Sequence, residues 1–114
     1  MGAIAMISAG GKIVATMSKK EVHKSWLVDV PPDKVFWCHD GRVVNNLDEL
    51  IVALREMLEK TFRYHVTMDK NDFSNWVRDV IGDVTLAREL LNAATPTIAA
   101  QKVETRLRWL RARL

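Results

Sequence analysis

Four side chains near the end of this chain, Lys102, Arg106, Trp109 and Arg113, recur at i, i+4, i+7 and i+11. On a helix that spacing puts three cations and an indole on one stripe. Guanidinium groups bind phosphate in a bidentate manner, and indoles stack on bases or on guanidinium planes. Arg108 and Arg111 add charge to the same segment, while Lys12, Lys19, Lys20 and Lys24 crowd the first 24 residues. Chemistry of this kind is suited to nucleic acid. Its bland counterpart is equally simple. Trp109 packs on a β-hairpin, the cations lie in solvent, and basic residues near a helix C-terminus merely complement the macrodipole.

The other residues with reactive side chains form weaker patterns. Cys38-His39-Asp40 and His65 are metal-type ligands, but no C-x-x-C or H-x-x-x-H spacing joins them. Cys38 reads as a small buried strand residue, and His39 as the border of a tight turn. A Cys–His nucleophile pair needs His65 or His23 to reach Cys38 and a third group to orient the base. Gly10-Gly11-Lys12 lacks the spacing of a phosphate loop. The expectation is therefore no catalytic residue, no metal and no cofactor, with a small enzyme or metal protein as the third-ranked class.

Positioning these groups falls to a chain of 114 residues, 48% apolar and 27% charged, in the ordinary range for one globular domain. The net charge of +3 is unevenly spread. Residues 1–24 carry +3, residues 25–96 carry −4 and residues 97–114 carry +4, counted from Lys, Arg, Asp and Glu. A basic–acidic–basic order suggests an acidic partner met by the two ends. A single cysteine excludes an internal disulfide and fits a reducing cytoplasm. No apolar run approaches the roughly 18–20 residues that span a bilayer, so no membrane is expected. Gly2–Met17 lacks the charge order of a signal peptide, and Met6 breaks the myristoylation pattern.

Residues 1–24 read as a basic arm without sustained periodicity, apart from the short run Lys12-Ile13-Val14-Ala15, and residues 25–114 as one compact domain. Met17-Ser18-Lys19-Lys20 also reads as an alternative translation start. Residues 25–45 read as β structure. Ser25–Val30 is an extended run stopped by Pro31-Pro32, and Lys34–His39 meets Asp40-Gly41 and then Arg42-Val43-Val44. Asp-Gly between apolar segments predicts a type I′ hairpin, with Trp26–Val30 available as a third strand. Residues 46–67 read as helical, capped by Asn46, burying Leu47, Leu50, Ile51, Leu54, Met57 and Leu58, with a break or kink near Glu59–Thr61.

A helix over Asp72–Ile81 follows, with Phe73, Trp76, Val77, Val80 and Ile81 on one face, an Asn71-Asp72 cap and a Gly82 stop. Asp83 caps a short helix over Val84–Ala93. Thr95-Pro96 opens the last one, with the seam Val103, Leu107, Leu110 and Leu114. His65 should meet the capping region of the next helix, where an imidazole N–H binds Asp72 or a loop carbonyl and fixes the corner between two helices. The expected fold is α+β and predominantly helical: a short β-hairpin, or three short strands, packed on four to five helices.

One block carries a resemblance. Trp37–Val43, then Phe62-Arg63-Tyr64-His65-Val66, Lys70-Asn71-Asp72-Phe73-Ser74-Asn75-Trp76-Val77, and Asp79–Asp83 with Leu86-Ala87 resemble an uncharacterised small-domain family found largely in archaea, with more distant bacterial relatives. Its hallmark is an aromatic-His element, an Asn-Asp-Phe-x-x-Trp element and a Gly-Asp-x-x-Leu-Ala element in that order. The match spans residues 26–112 and makes Tyr64, His65, Asn71, Asp72, Phe73, Trp76, Gly82 and Asp83 its signature. It implies a small, mostly helical domain and no established activity. Leu58-Glu59-Lys60 departs from the family's Ser-Asp capping pair, which leaves a continuous helix open there. Residues 1–24 lie outside the resemblance.

The functional expectation is a non-catalytic cytoplasmic binding module. It engages RNA or a ribonucleoprotein through Lys12, Lys19, Lys20, Lys24, Lys102, Arg106, Arg108, Trp109, Arg111 and Arg113. The alternative is a protein–protein adaptor that uses an apolar patch around Trp26, Phe36 and Trp37. The oligomeric state does not follow from the sequence.

Overall fold

The computed structural model describes residues 3–7 and 13–114, and the surroundings of side chains from residue 17 onward. The expectation for Lys12 lies outside the described residues. Among those described, the fold is α+β and mostly helical. Strands β1 (Ala3–Ile7) and β2 (Ile13–Ser18) pair antiparallel. Helix α1 (Lys19–Ser25) follows directly. Strands β3 (Phe36–Trp37) and β4 (Val43–Val44) form a second antiparallel pair. Helices α2 (Leu47–Glu56), α3 (Glu59–His65), α4 (Asp72–Trp76), α5 (Val84–Leu90) and α6 (Pro96–Arg111) complete the chain.

Four helix starts obey their local chemistry. Asn46, Asn71, Asp83 and Thr95 each accept a hydrogen bond from the backbone N–H three residues on, satisfying one of the amides that a helix start leaves unpaired. Pro96 stands at the first position of α6, where its missing N–H costs nothing. The buried face of α2, led by Leu47, Leu50, Ala53 and Leu54, lies on α6. Helix α6 answers with Ala99, Ala100, Val103, Leu107 and Leu110, and its small residues near the start let the two backbones approach. Phe73 lies between Phe36 and Phe62 at the centre, its ring centroid 5.0 Å from that of Phe36 and 5.7 Å from that of Phe62.

The β region departs from expectation in two ways. Ser25–Val30 is not a third strand. Helix α1 runs to Ser25, Trp26 keeps right-handed helical backbone angles, and only the Val30 N–H reaches the hairpin, at the Asn45 carbonyl (2.8 Å). The β-branched run that suggested a strand is overridden because Val22, Trp26, Leu27 and Val30 are needed on the core. The hairpin turn is also not type I′, since among the described residues no non-glycine has positive φ. Within the turn Gly41 alone does, at φ 95°, and the Gly41 N–H bonds Cys38 O while the Cys38 N–H bonds Arg42 O. That is a three-residue loop, a type I turn closed by a glycine bulge.

The 46–67 helix is broken, at Met57-Leu58 rather than at Glu59–Thr61. Both residues are extended, at ψ 151° and 154°. Met57 is buried as expected, but Leu58 faces solvent, as does Leu114 at the end of the α6 seam. The 72–81 segment is also two pieces. Helix α4 widens after Trp76 into a π-helical turn, Val77–Ile81, which the Gly82 N–H closes on Val77 O (2.8 Å). Six helices are therefore described where the sequence suggested four or five. The extra one is α1.

Candidate nucleic-acid interface

Lys19 and Lys20 occupy the first turn of α1, the positive end of a helix, where cations are unfavourable. The macrodipole explanation for basic residues thus fails for this pair. Ser18 and Glu21 hold the turn in place through a capping box, with Glu21 N–H to Ser18 Oγ at 3.2 Å and Ser18 N–H to Glu21 Oε1 at 3.1 Å. The bond from the Ser18 backbone also lowers the Glu21 carboxyl below its ordinary range. Glu21 is thereby spent on the cap.

Lys19, Lys20, His23 and Trp26 line one wall of a groove of about 470 Å³ whose other wall is Trp109 of α6 and Arg113 just beyond its end. Val22 also lines it, and among the described residues the lining contains no acidic side chain. The His23 ring lies 5.3 Å from Trp26 and 5.6 Å from Trp109, inclined at 45° and 64° respectively. Arg113 sits over the Trp109 ring at 3.6 Å and donates from Nη1 to the Trp109 carbonyl (3.0 Å). Trp109 therefore serves Arg113 as a platform, and it faces α1 rather than the β3–β4 hairpin.

The support beneath the groove comes from Gly82 and Asp83. Asp83 is wholly buried and accepts from Arg106 Nε (2.7 Å) and Nη2 (3.0 Å) as well as from the Leu86 N–H. Arg106 in turn lies 4.5 Å from the Trp109 ring and 5.8 Å from the Trp26 ring, tying both indoles to the start of α5. A Cβ on Gly82 would stand 3.3 Å from Trp26 Nε1, so glycine there permits both the left-handed backbone and the close approach of the indole.

The sequence-predicted cations thus separate. Lys19, Lys20, Trp109 and Arg113 come together in the groove. Lys24 is exposed in the last turn of α1. Lys102 lies beside Glu89 and Gln101, in a separate depression. Arg106 is committed to Asp83. Arg111 is held by Asp48 through bonds of 3.2 and 2.6 Å, and Arg108 shares that acidic neighbourhood with Asp48 and Glu104. His23 and Trp26 were missed as groove residues. Their signal was present, because Lys19, Val22, His23 and Trp26 fall at i, i+3, i+4 and i+7 of one helix face.

The remaining signature residues build the frame. His65 Nε2 accepts the His39 backbone N–H (2.9 Å), and Nδ1 meets Asp72 Oδ2 (3.0 Å). An amide can only donate, so the ring is the neutral tautomer with its proton on Nδ1. Burial pushes the Asp72 carboxyl up, but hydrogen bonds from Lys70 (2.6 Å) and His65 outweigh it and hold it below the ordinary value. Asn71 caps α4 and reaches Leu90 O, Ser74 Oγ donates to Ala87 O, and Trp76 Nε1 donates to Lys34 O (2.8 Å). Phe73 is core. Tyr64 is exposed and stacks on His39 with centroids 3.7 Å apart.

The apolar patch expected around Trp26, Phe36 and Trp37 does not form. Phe36 is buried against Phe73 and Trp76, Trp26 packs on Gly82, and Trp37 alone stands out, 70% exposed. Cys38 is buried, which pushes its thiol pKa up, and both nitrogens of His65 are engaged elsewhere. Among the described residues, no three His, Cys, Asp or Glu side chains gather as a metal ion would require. No helix among them is long and apolar enough to cross a membrane. No family model, curated protein or solved structure matches this chain.

Proposed function

We propose that this chain is a non-catalytic binding module of the cytoplasm that engages RNA, alone or within a ribonucleoprotein, through the groove between α1 and α6. The observation that carries the reading is the convergence of Lys19 and Lys20 with Trp109 and Arg113, from opposite ends of the chain, around one groove with no acidic lining residue among those described. Lysine and arginine would meet phosphates there, and the aromatic walls would meet bases. Membership of the archaeal small-domain family belongs to the same proposal, with its Gly82-Asp83 pair acting as the groove's support.

Titration of the purified chain against labelled RNA, repeated from low salt to about 0.5 M, tests the reading. Affinity should fall steeply with salt, because each phosphate contact releases counterions. Lys19→Ala/Lys20→Ala should weaken it further at low salt. Binding that ignores both salt and the double substitution would remove the groove as the interface.

A protein–protein adaptor is the second reading, favoured by the exposure of Trp37 next to the Tyr64–His39 stack. Loss of a partner on Trp37→Ala, with little salt dependence, would select it.

A further inference from the structure

The groove combines two features that duplex and single-stranded RNA do not use equally. Its cations, Lys19, Lys20 and Arg113, accompany walls made of an imidazole and two indoles. Duplex RNA hides its base faces in the stack and offers a protein phosphates and 2′-hydroxyls, read across about 16 base pairs. An aromatic-walled recess gains nothing from that surface. An unpaired base brings a free π-face, which aromatic side chains bind whatever the base identity.

The ring geometry agrees with this. His23 is tilted towards one indole and edge-on to the other, so it does not cover their faces as a parallel stack would. Trp109 remains 38% exposed even with both Arg106 and Arg113 against its ring. The Arg113 guanidinium is fixed at one Nη by the Trp109 carbonyl and has further N–H groups to give to a phosphate. The volume of about 470 Å³ falls within the range of small-ligand pockets and suits a base with its sugar rather than a helix.

We infer that the groove takes single-stranded RNA, seating an unstacked base against Trp109, His23 and Trp26 while Lys19, Lys20 and Arg113 hold the flanking phosphates, and that it discriminates against the duplex. The inference rests on the nucleic-acid reading above. Three cations imply a salt slope of about −2 for a single strand.

The test compares the full chain's affinity for a labelled oligouridylate of about 12 nucleotides with that for a blunt RNA duplex of about 16 base pairs. Anisotropy at several salt concentrations reads both. The single strand should bind at least about tenfold more tightly, and Trp109→Leu should cost about tenfold on the single strand and clearly less on the duplex. Arg113→Ala, at an exposed position just past α6, provides a second variant should Trp109→Leu fail to fold, and should lower single-strand affinity too. Equal or tighter duplex binding, or a single-strand affinity indifferent to both substitutions, overturns the inference and leaves RNA binding standing. Binding of neither RNA removes the functional reading itself.

Discussion

Arg106 and Asp83, 23 residues apart in sequence, form a two-pronged ion pair that is almost wholly out of solvent, with the guanidinium 12% and the carboxylate 0% exposed. The carboxylate that caps α5 is thus also the anchor for a guanidinium that lies against both groove indoles. A cation that looked like part of a phosphate-binding stripe is in fact structural ballast beneath it. Arg106→Leu would leave a buried carboxylate unpaired, and should lower unfolding stability by about 3–5 kcal/mol in urea titrations. Adding Asp83→Asn, which keeps an acceptor for the Leu86 N–H, should recover a good part of that loss. The exposed pair Arg111–Asp48 provides the contrast, and Arg111→Ala should cost no more than about 1 kcal/mol.

His65 joins three segments: the hairpin turn through the His39 amide, the end of α3 that carries it, and the start of α4 through Asp72. His65→Ala removes a buried ring packed on Phe36 and Phe73 and orphans the His39 N–H. A loss of about 2–4 kcal/mol is expected by thermal or urea unfolding. RNA affinity measured well below the melting range should stay near wild type, since the groove lies on other elements. Unchanged stability with lost partner binding would reverse this assignment.

The two glycines with positive φ are not equivalent. Gly41 has open space around it, whereas a Cβ at Gly82 would press on Trp26. Gly41→Ala should cost only the left-handed backbone penalty, about 1–2 kcal/mol. Gly82→Ala should cost that plus a displaced indole, and should additionally weaken RNA binding by moving Trp26. Comparing unfolding midpoints and affinities of the two variants separates the terms.

Asp72 supplies an acid limb to stability. Its carboxyl pKa is depressed in the folded state despite partial burial. The stability it contributes is therefore present above the unfolded value, ordinarily near 3.8, and is lost as pH falls through the lower folded value. Asp72→Asn should be less stable than wild type at pH 7, and the gap should narrow between about pH 5 and 2. Urea midpoints across that window measure it.

Much of this molecule is local, and the local part was legible. Asn46, Asn71, Asp83 and Thr95 cap helices because a side-chain oxygen finds an amide three residues away, a distance the chain itself guarantees. The apolar spacing of α2, α4 and α6 reports burial for the same reason. His65 was expected at the Asp72 cap because only a short turn separates them. Helix α1 was not legible, since the Ser25–Val30 run at its end reads as a strand, and only the packing of Trp26, Leu27 and Val30 on the core decides otherwise. Nor did the α6 stripe reveal its fate. Its spacing placed Lys102, Arg106, Trp109 and Arg113 on one face, but charge is spent through space. Packing against Asp83 consumes Arg106, and the approach of α1 gives Arg113 and Trp109 the opposing wall that turns a helix face into a groove.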